Sequence, residues 1–258
     1  MTGKEGFTMA DYDNRALRAR TGVAAGAIDA GLRAYMLRVY NYMFIGLVLT
    51  GVAAYATYAA SVVDTGHGLM LTDLGRMLFV SPLKFVVIFA PLAVVLMLSF
   101  GINRIGAPTA QIMFWVYSGL VGISLGSIFL VYAGTSIAQV FFITAAAFGG
   151  LSLWGYTTKS DLTGFGSFLI MGLVGIIIAM VVNMFLHSST MAWVVSVLGV
   201  GIFAGLTAYD TQKIKEMYYA GDDGALAAKK SIMGALALYL DFLNIFLFLL
   251  QLMGAQRR

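Results

Sequence analysis

Between Arg104 and Lys159 the chain reads IGAPTAQIMFWVYSGLVGISLGSIFLVYAGTSIAQVFFITAAAFGGLSLWGYTT, 54 residues without a formal charge. A helix crosses the hydrocarbon core of a bilayer in about 20 apolar residues. The run therefore holds two crossings, broken near Gly134, Thr135 and Ser136. An outer-membrane barrel would instead show alternating segments of ~10 residues. This stretch decides the fold class: an all-α membrane protein.

Measuring outward between charges gives the rest. Arg38 to Asp64 encloses 25 uncharged residues and Lys84 to Arg104 encloses 19, one span each. Asp161 to Asp210 encloses 48, two spans broken at His187–Thr190. Lys230 to Arg257 holds one span with a single charge, Asp241. The expectation is a seven-transmembrane-helix bundle with spans near 39–62, 83–102, 110–132, 136–156, 165–186, 191–212 and 231–253. Pro82 and Pro108 fall near helix starts, where a missing N–H does no harm. Pro91 falls inside the second span and is expected to kink it.

Composition agrees. The 258 residues are 60% hydrophobic and 11% charged, with a mean hydropathy of +0.88. Soluble domains carry about 25% charged residues. A soluble enzyme and a disordered chain are excluded. The absence of Cys removes disulfides, thiol nucleophiles and Cys-based metal sites. A net charge of +4 is no nucleic-acid signature, and no nucleic-acid partner is expected.

Lys and Arg set the orientation. With the N-terminus cytoplasmic, the inner segments 1–38, 103–109, 157–164 and 213–230 hold 12 of the 16 basic residues. The outer side keeps Arg76, Lys84, Arg257 and Arg258. The expected layout is a polar cytoplasmic N-terminal arm, 1–32, followed by a seven-helix transmembrane domain, 33–258, with the C-terminus outside. The arm is charged, without the apolar core of a signal peptide. Residues 14–38 are expected as a surface helix whose Arg15, Arg18, Arg20, Arg33 and Arg38 rest on anionic headgroups, though positive-inside topology alone also accounts for them. Gly119, Gly122 and Gly126 mark one helix face, and Gly201 and Gly205 form a G-x-x-x-G. Both are expected to let backbones approach closely.

Nearly all of the 28 charged residues lie in loops, tails or span edges. Two acids do not. Asp241 lies about ten residues into the seventh span, roughly 15 Å along a helix. Asp210 lies in the cytoplasmic half of the sixth, or deeper if that helix continues through Lys213 and Lys215. An ionised carboxylate at the bilayer centre costs at least ~2.5–3.5 kcal/mol, so such groups face a partner or a water-filled cavity. The two spans are consecutive, joined by about 18 residues, and consecutive elements are usually neighbours. Asp210 and Asp241 are therefore expected to face one another. Two close carboxylates cannot both ionise cheaply, so the pair is expected to share a proton. With both ionised they form a hard-oxygen site suited to Ca²⁺. Asn244, one turn from Asp241, is a candidate supporting ligand. The competing reading is structural: an intramembrane Asp bonded to a neighbouring helix, or Asp210 to Lys213 three residues on.

Gly205-Leu-Thr-Ala-Tyr-Asp210-Thr-Gln-Lys-Ile-Lys and Ala237-Leu-Tyr-Leu-Asp241-Phe-Leu-Asn-Ile-Phe resemble the Bax inhibitor-1 family, also called the transmembrane Bax inhibitor motif family. Phe89-Ala-Pro91-Leu is similar too, and the resemblance covers about residues 33–253. It looks like a bacterial member, which implies a multi-pass protein of the inner membrane. The resemblance implies a pH-sensitive Ca²⁺ leak channel in which a di-aspartyl pair is the proton sensor and a basic residue of the second helix latches the closed pore. Asp210 and Asp241 match the pair. Arg104, at the end of the second span, is the candidate latch, against a plain topogenic charge. Calcium is then the transported ion, with no resident cofactor. The resemblance also implies a rival, non-channel role: binding and modulating an ATP-dependent membrane protease through the N-terminal arm.

No enzyme is expected. Tyr209-Asp210 matches half of a membrane aspartyl protease, but Asp241 follows Leu238-Tyr239-Leu240 where Gly-x-Gly is needed. Gly122-Ile-Ser124-Leu-Gly126 spells G-x-S-x-G inside a helix, without the strand–turn–helix context that motif requires.

Overall fold

In a computed structural model the chain is described over residues 9–64 and 69–257, with residues 9–29 as helical backbone. The order is α1 (Met9–Ser61), β1 (Val62–Asp64), β2 (Leu69–Leu71), α2 (Asp73–Phe79), α3 (Leu83–Gly101), α4 (Ala107–Leu125), α5 (Ile128–Val131), α6 (Gly134–Thr157), α7 (Thr163–Leu186), α8 (Ser189–Glu216) and α9 (Gly224–Met253). Among the described residues, seven helical segments are long and apolar enough to span a membrane: α1 from Ala30, α3, α4 with α5, α6, α7, α8 and α9. Lipid offers no hydrogen bonds to a bare backbone, so each crossing must satisfy its own polar groups as a helix.

The crossings are not equivalent. In α9, 67% of the apolar window is buried, against 11% in α3 and in α7. Apolarity alone does not decide this, because lipid tails cover an apolar face as well as a neighbouring helix does; α9 is central because it packs against α1, α4, α6 and α8. The main core gathers on it, through Leu238, Tyr239 and Phe242 with Val39 of α1, Phe114 of α4 and Phe148 of α6. A smaller cluster joins α7, α8 and α9 through Leu169, Phe203 and Phe248.

Local chemistry sets the joints. His187, in the left-handed region at φ 51°, closes α7. The Ser188 hydroxyl then caps α8 by accepting from Met191 N–H (3.2 Å), as Ser does at an N-cap. The Asp223 carboxylate caps α9, accepting from Leu226 N–H (2.6 Å). Pro82 and Pro108 sit at helix starts, and Pro91 is buried inside α3, which runs on past it.

Several boundaries differ from expectation. The link between the last two spans is residues 217–223, not about 18 residues, because α8 continues through Lys213 and Lys215 and α9 starts early at Gly224. Charge gaps measure the apolar core of a helix and miss its polar ends. The third crossing is interrupted after Leu125 and resumes at Ile128. Residues 14–38 form no separate surface helix, since α1 runs unbroken from Met9 into the first crossing. The side chains of Arg15, Arg18 and Arg20 lie outside the described residues. The loop after α1 carries the hairpin β1–β2, with Val62 opposite Leu71, and then α2. Of the marked glycines, Gly122 meets the Thr50 carbonyl and Gly126 meets Thr57, both on α1, while Gly119 and Gly201 face open space. Gly205 packs against Leu169 of α7.

The tail after α9 folds back. Ala133 N–H donates to the Ala255 carbonyl (3.0 Å) and Arg257 N–H to the Val131 carbonyl (2.8 Å). The Arg257 guanidinium donates to Tyr58 Oη (2.6 Å) and to the Phe129 carbonyl (2.9 Å). The turn between α5 and α6 is thereby stitched to the C-terminus.

Candidate functional site

α8 and α9 run antiparallel and form the most extensive helix pair in the bundle. Their register is set by small residues: Gly199 meets Phe248, and Gly234 meets Ile214. That register brings Asp210 and Asp241 within one turn of facing each other. The two carboxyls are close neighbours inside the bundle. Two carboxyls at such close range favour a shared proton over two charges. Asp241 is 4% exposed. Its Oδ2 is buried without a hydrogen-bond partner among the described residues.

Each residue around Asp210 faces a different neighbour. The Tyr209 ring lies against Gly166 of α7. Asp210 turns to α9. Thr211, fully buried, shares a hydrogen bond with Ser152 of α6 (2.9 Å), and Ser152 shares one with Tyr40 of α1 (2.7 Å). Gln212 holds the α6–α7 loop from both sides, accepting from Leu162 N–H (2.8 Å) and donating to the Ser160 carbonyl (2.8 Å). Lys215 donates to the Tyr156 carbonyl (2.8 Å) at the end of α6. Successive helical residues point about 100° apart, so Tyr209, Asp210, Thr211, Gln212 and Lys215 tie α8 to α6, α7, α9 and the α6–α7 loop.

The same holds around Asp241. Tyr239 lies two residues earlier, about 200° around the helix, and shares a 2.6 Å hydrogen bond with Thr50 of α1. Thr50 also donates to the Ser118 carbonyl of α4 (2.9 Å). Phe242 stacks edge-on against Phe141 and Phe148 of α6. Asn244 donates its amide to the Leu240 carbonyl (2.8 Å) on its own helix, so only its oxygen is left for a ligand.

Arg104 is not brought to the pair. It lies exposed in the turn after α3, and α3 packs on α4 and α2, whereas α8 packs on α9, α6, α7 and α1. The ion pair found among the described residues is Lys230–Asp222 (2.6 Å). The positive charge that acts on Asp210 is Lys213, whose ammonium lies 5.7 Å from the Tyr209 ring centre. This corrects the expected Arg104–Asp210 contact for the arrangement seen here: the two belong to different sides of the bundle.

Tyr40, Thr50, Ser152, Thr211, Gln212 and Tyr239 escape the charge-based reading of the sequence. Their signal was present as hydroxyl and amide groups inside apolar spans. Such groups are common helix glue, so type alone does not single them out.

Comparison with known proteins places the chain. The family model described as inhibitor of apoptosis-promoting Bax1 matches residues 32–258. A protein of Caulobacter vibrioides is 50% identical over 232 residues, covering 90% of this chain and 92% of its own. A protein of Rickettsia prowazekii is 49% identical over 229 residues, covering 89% and 92%. The inner membrane protein YbhL of Escherichia coli is 46% identical over 231 residues, covering 88% and 94%. With its seven apolar helices and these relatives, the chain is a multi-pass inner-membrane protein, and it belongs to the Bax inhibitor-1 family.

Proposed function

We propose that this protein is a pH-sensitive calcium leak of the inner membrane, gated by Asp210 and Asp241, with its N-terminus cytoplasmic and its C-terminus outside. The observation that carries the reading is a pair of neighbouring carboxyls inside the bundle, with Asp241 buried and its Oδ2 left without a hydrogen-bond partner among the described residues. A protein gains little stability from two acids in oil, and intramembrane acids mark ion and proton pathways. A proton and a divalent cation compete for the same oxygens. When the shared proton leaves, four carboxylate oxygens and the oxygen of Asn244 are available to a hard cation, which takes 6–8 oxygen ligands, with water supplying the remainder. When the proton returns, the site is neutral and the cation loses its counter-charge. Lys213 lowers the cation's affinity from one side, which suits a site that must release as well as bind.

Arg104 stands apart from the pair and takes no part in this gate. Purified protein in calcium-loaded liposomes tests both parts. Asp210→Asn is expected to abolish the pH dependence of the flux, and Arg104→Gln to leave it as in wild type. Unchanged pH dependence in Asp210→Asn defeats the channel mechanism and leaves the regulatory role toward a membrane protease as the working reading.

A further inference from the structure

α1 and α6 both pack on α9 but hardly on each other. Between them runs a crevice facing the membrane. One part, of about 540 Å³, is walled by Arg33, Met36 and Tyr40 of α1 and by Phe148, Ser152 and Tyr156 of α6. The other part, of about 450 Å³, is a separate pocket further along the same two helices, lined by Phe44 and Gly51 of α1, Gly134 and Phe141 of α6 and Phe246 of α9. The rims of the crevice are exposed, with Leu37, Phe44, Leu153 and Phe142 turned outward, so its opening is lateral. Both volumes fall in the range of small-molecule sites, about 300–1,000 Å³.

The chemistry of the crevice is one-ended. Arg33 stands at its mouth, and Lys215, bonded to the Tyr156 carbonyl with its ammonium 5.3 Å from the Tyr156 ring centre, adds a second positive charge there. The hydroxyls of Tyr40 and Ser152 satisfy each other. What remains toward the interior is apolar. From Arg33 to Phe44 the α1 axis rises about 16 Å, close to half the ~30 Å hydrocarbon core. A ligand matching this site has an anionic head and an apolar tail one leaflet long.

We infer that the α1–α6 crevice is a binding site for one anionic phospholipid of the leaflet at the Arg33 end, its phosphate on Arg33 and one acyl chain lying toward Phe44. It differs from the general attraction of a basic segment to a charged surface, because it needs both the charge and the empty volume.

Native mass spectrometry of the full-length protein in detergent separates these. Phosphatidylglycerol and phosphatidylcholine with identical chains are titrated against wild type, Arg33→Gln, Gly149→Leu and Gly164→Leu. Gly149 lines the crevice, and neither it nor Gly164 has an atom within 4 Å of where a Cβ would stand. Wild type and Gly164→Leu are expected to retain one phosphatidylglycerol in preference to phosphatidylcholine. Arg33→Gln is expected to lose about fivefold of that preference, and Gly149→Leu to lose the bound lipid. Equal binding of the two lipids by wild type overturns the proposal. So does lipid retention unchanged in Gly149→Leu, or a wild-type dimer that Gly149→Leu dissociates, which would assign the crevice to a second copy. If Gly149→Leu fails to fold, the headgroup preference and its loss in Arg33→Gln decide the matter alone.

Discussion

Gly155 of α6 lies directly against the backbone carbonyl of Ala208 on α8, two residues before Asp210. No side chain fits between them. The contact fixes the distance at which Ser152, one turn earlier on α6, meets Thr211. Gly155→Leu is expected to push α6 from α8 and to destabilise the bundle by about 1–3 kcal/mol, the usual cost of overpacking. Thermal melting in detergent reads this. Gly149→Ala, one and a half turns away and open, is the control and should melt with wild type.

Tyr239 and Thr50 join the central helix to α1 by one buried hydrogen bond. Tyr239→Phe removes a hydroxyl and leaves Thr50 its bonds to the Gly46 and Ser118 carbonyls, so the expected loss is about 1 kcal/mol. Thr50→Val strands the Tyr239 hydroxyl in the core and is expected to cost about 1–3 kcal/mol. A double-mutant cycle should return a coupling energy of at least about 0.5 kcal/mol. Additive losses would mean the hydrogen bond contributes nothing net.

Gln212 uses both ends of its amide on the loop from α6 to α7. Gln212→Glu keeps the acceptor for Leu162 N–H and loses the donor to Ser160, while Gln212→Ala loses both. Amide exchange in residues 158–162 should therefore rise in the order wild type, Glu, Ala. Equal exchange in all three would show that the loop is held by other means.

Asp161 lies outside the spans, and hydrogen bonds from Thr163, including its N–H (2.8 Å), hold its carboxyl below the usual carboxylate range. A lowered native value favours folding above the ordinary range, near 3.8, and that advantage disappears as pH falls through the native value. Wild type should melt slightly above Asp161→Asn at neutral pH, with the difference closing in acid. A difference that widens in acid would reverse the assignment.

The fold was legible because the bilayer imposes one simple rule. Charge gaps of 54 and 48 residues can be divided in few ways, and each division falls at small polar residues such as Thr135 and Ser189. The acid pair was legible because Asp210 and Asp241 interrupt apolar sequence where nothing else is charged. The Arg104 contact was not, since spacing along the chain says nothing of which side of a bundle a helix occupies. The early start of α9 was hidden for a related reason. Its opening turn, Gly224–Ala228, is cut off from the apolar run by Lys229 and Lys230, and an Asp223 cap is a local signal that charge counting discards. The hub role of α9 was not legible from hydropathy, since α3 and α7 are more apolar and yet lie at the periphery, where lipid rather than protein covers them.

Calcium-linked proton release from the purified protein, followed with a pH indicator in weak buffer, tests the shared proton directly. At a pH where the pair is protonated, added Ca²⁺ should expel about one proton per chain, and neither Asp210→Asn nor Asp241→Asn should release any. Release of equal size in wild type and both variants, or none in wild type at any pH where calcium flux occurs, would contradict the account.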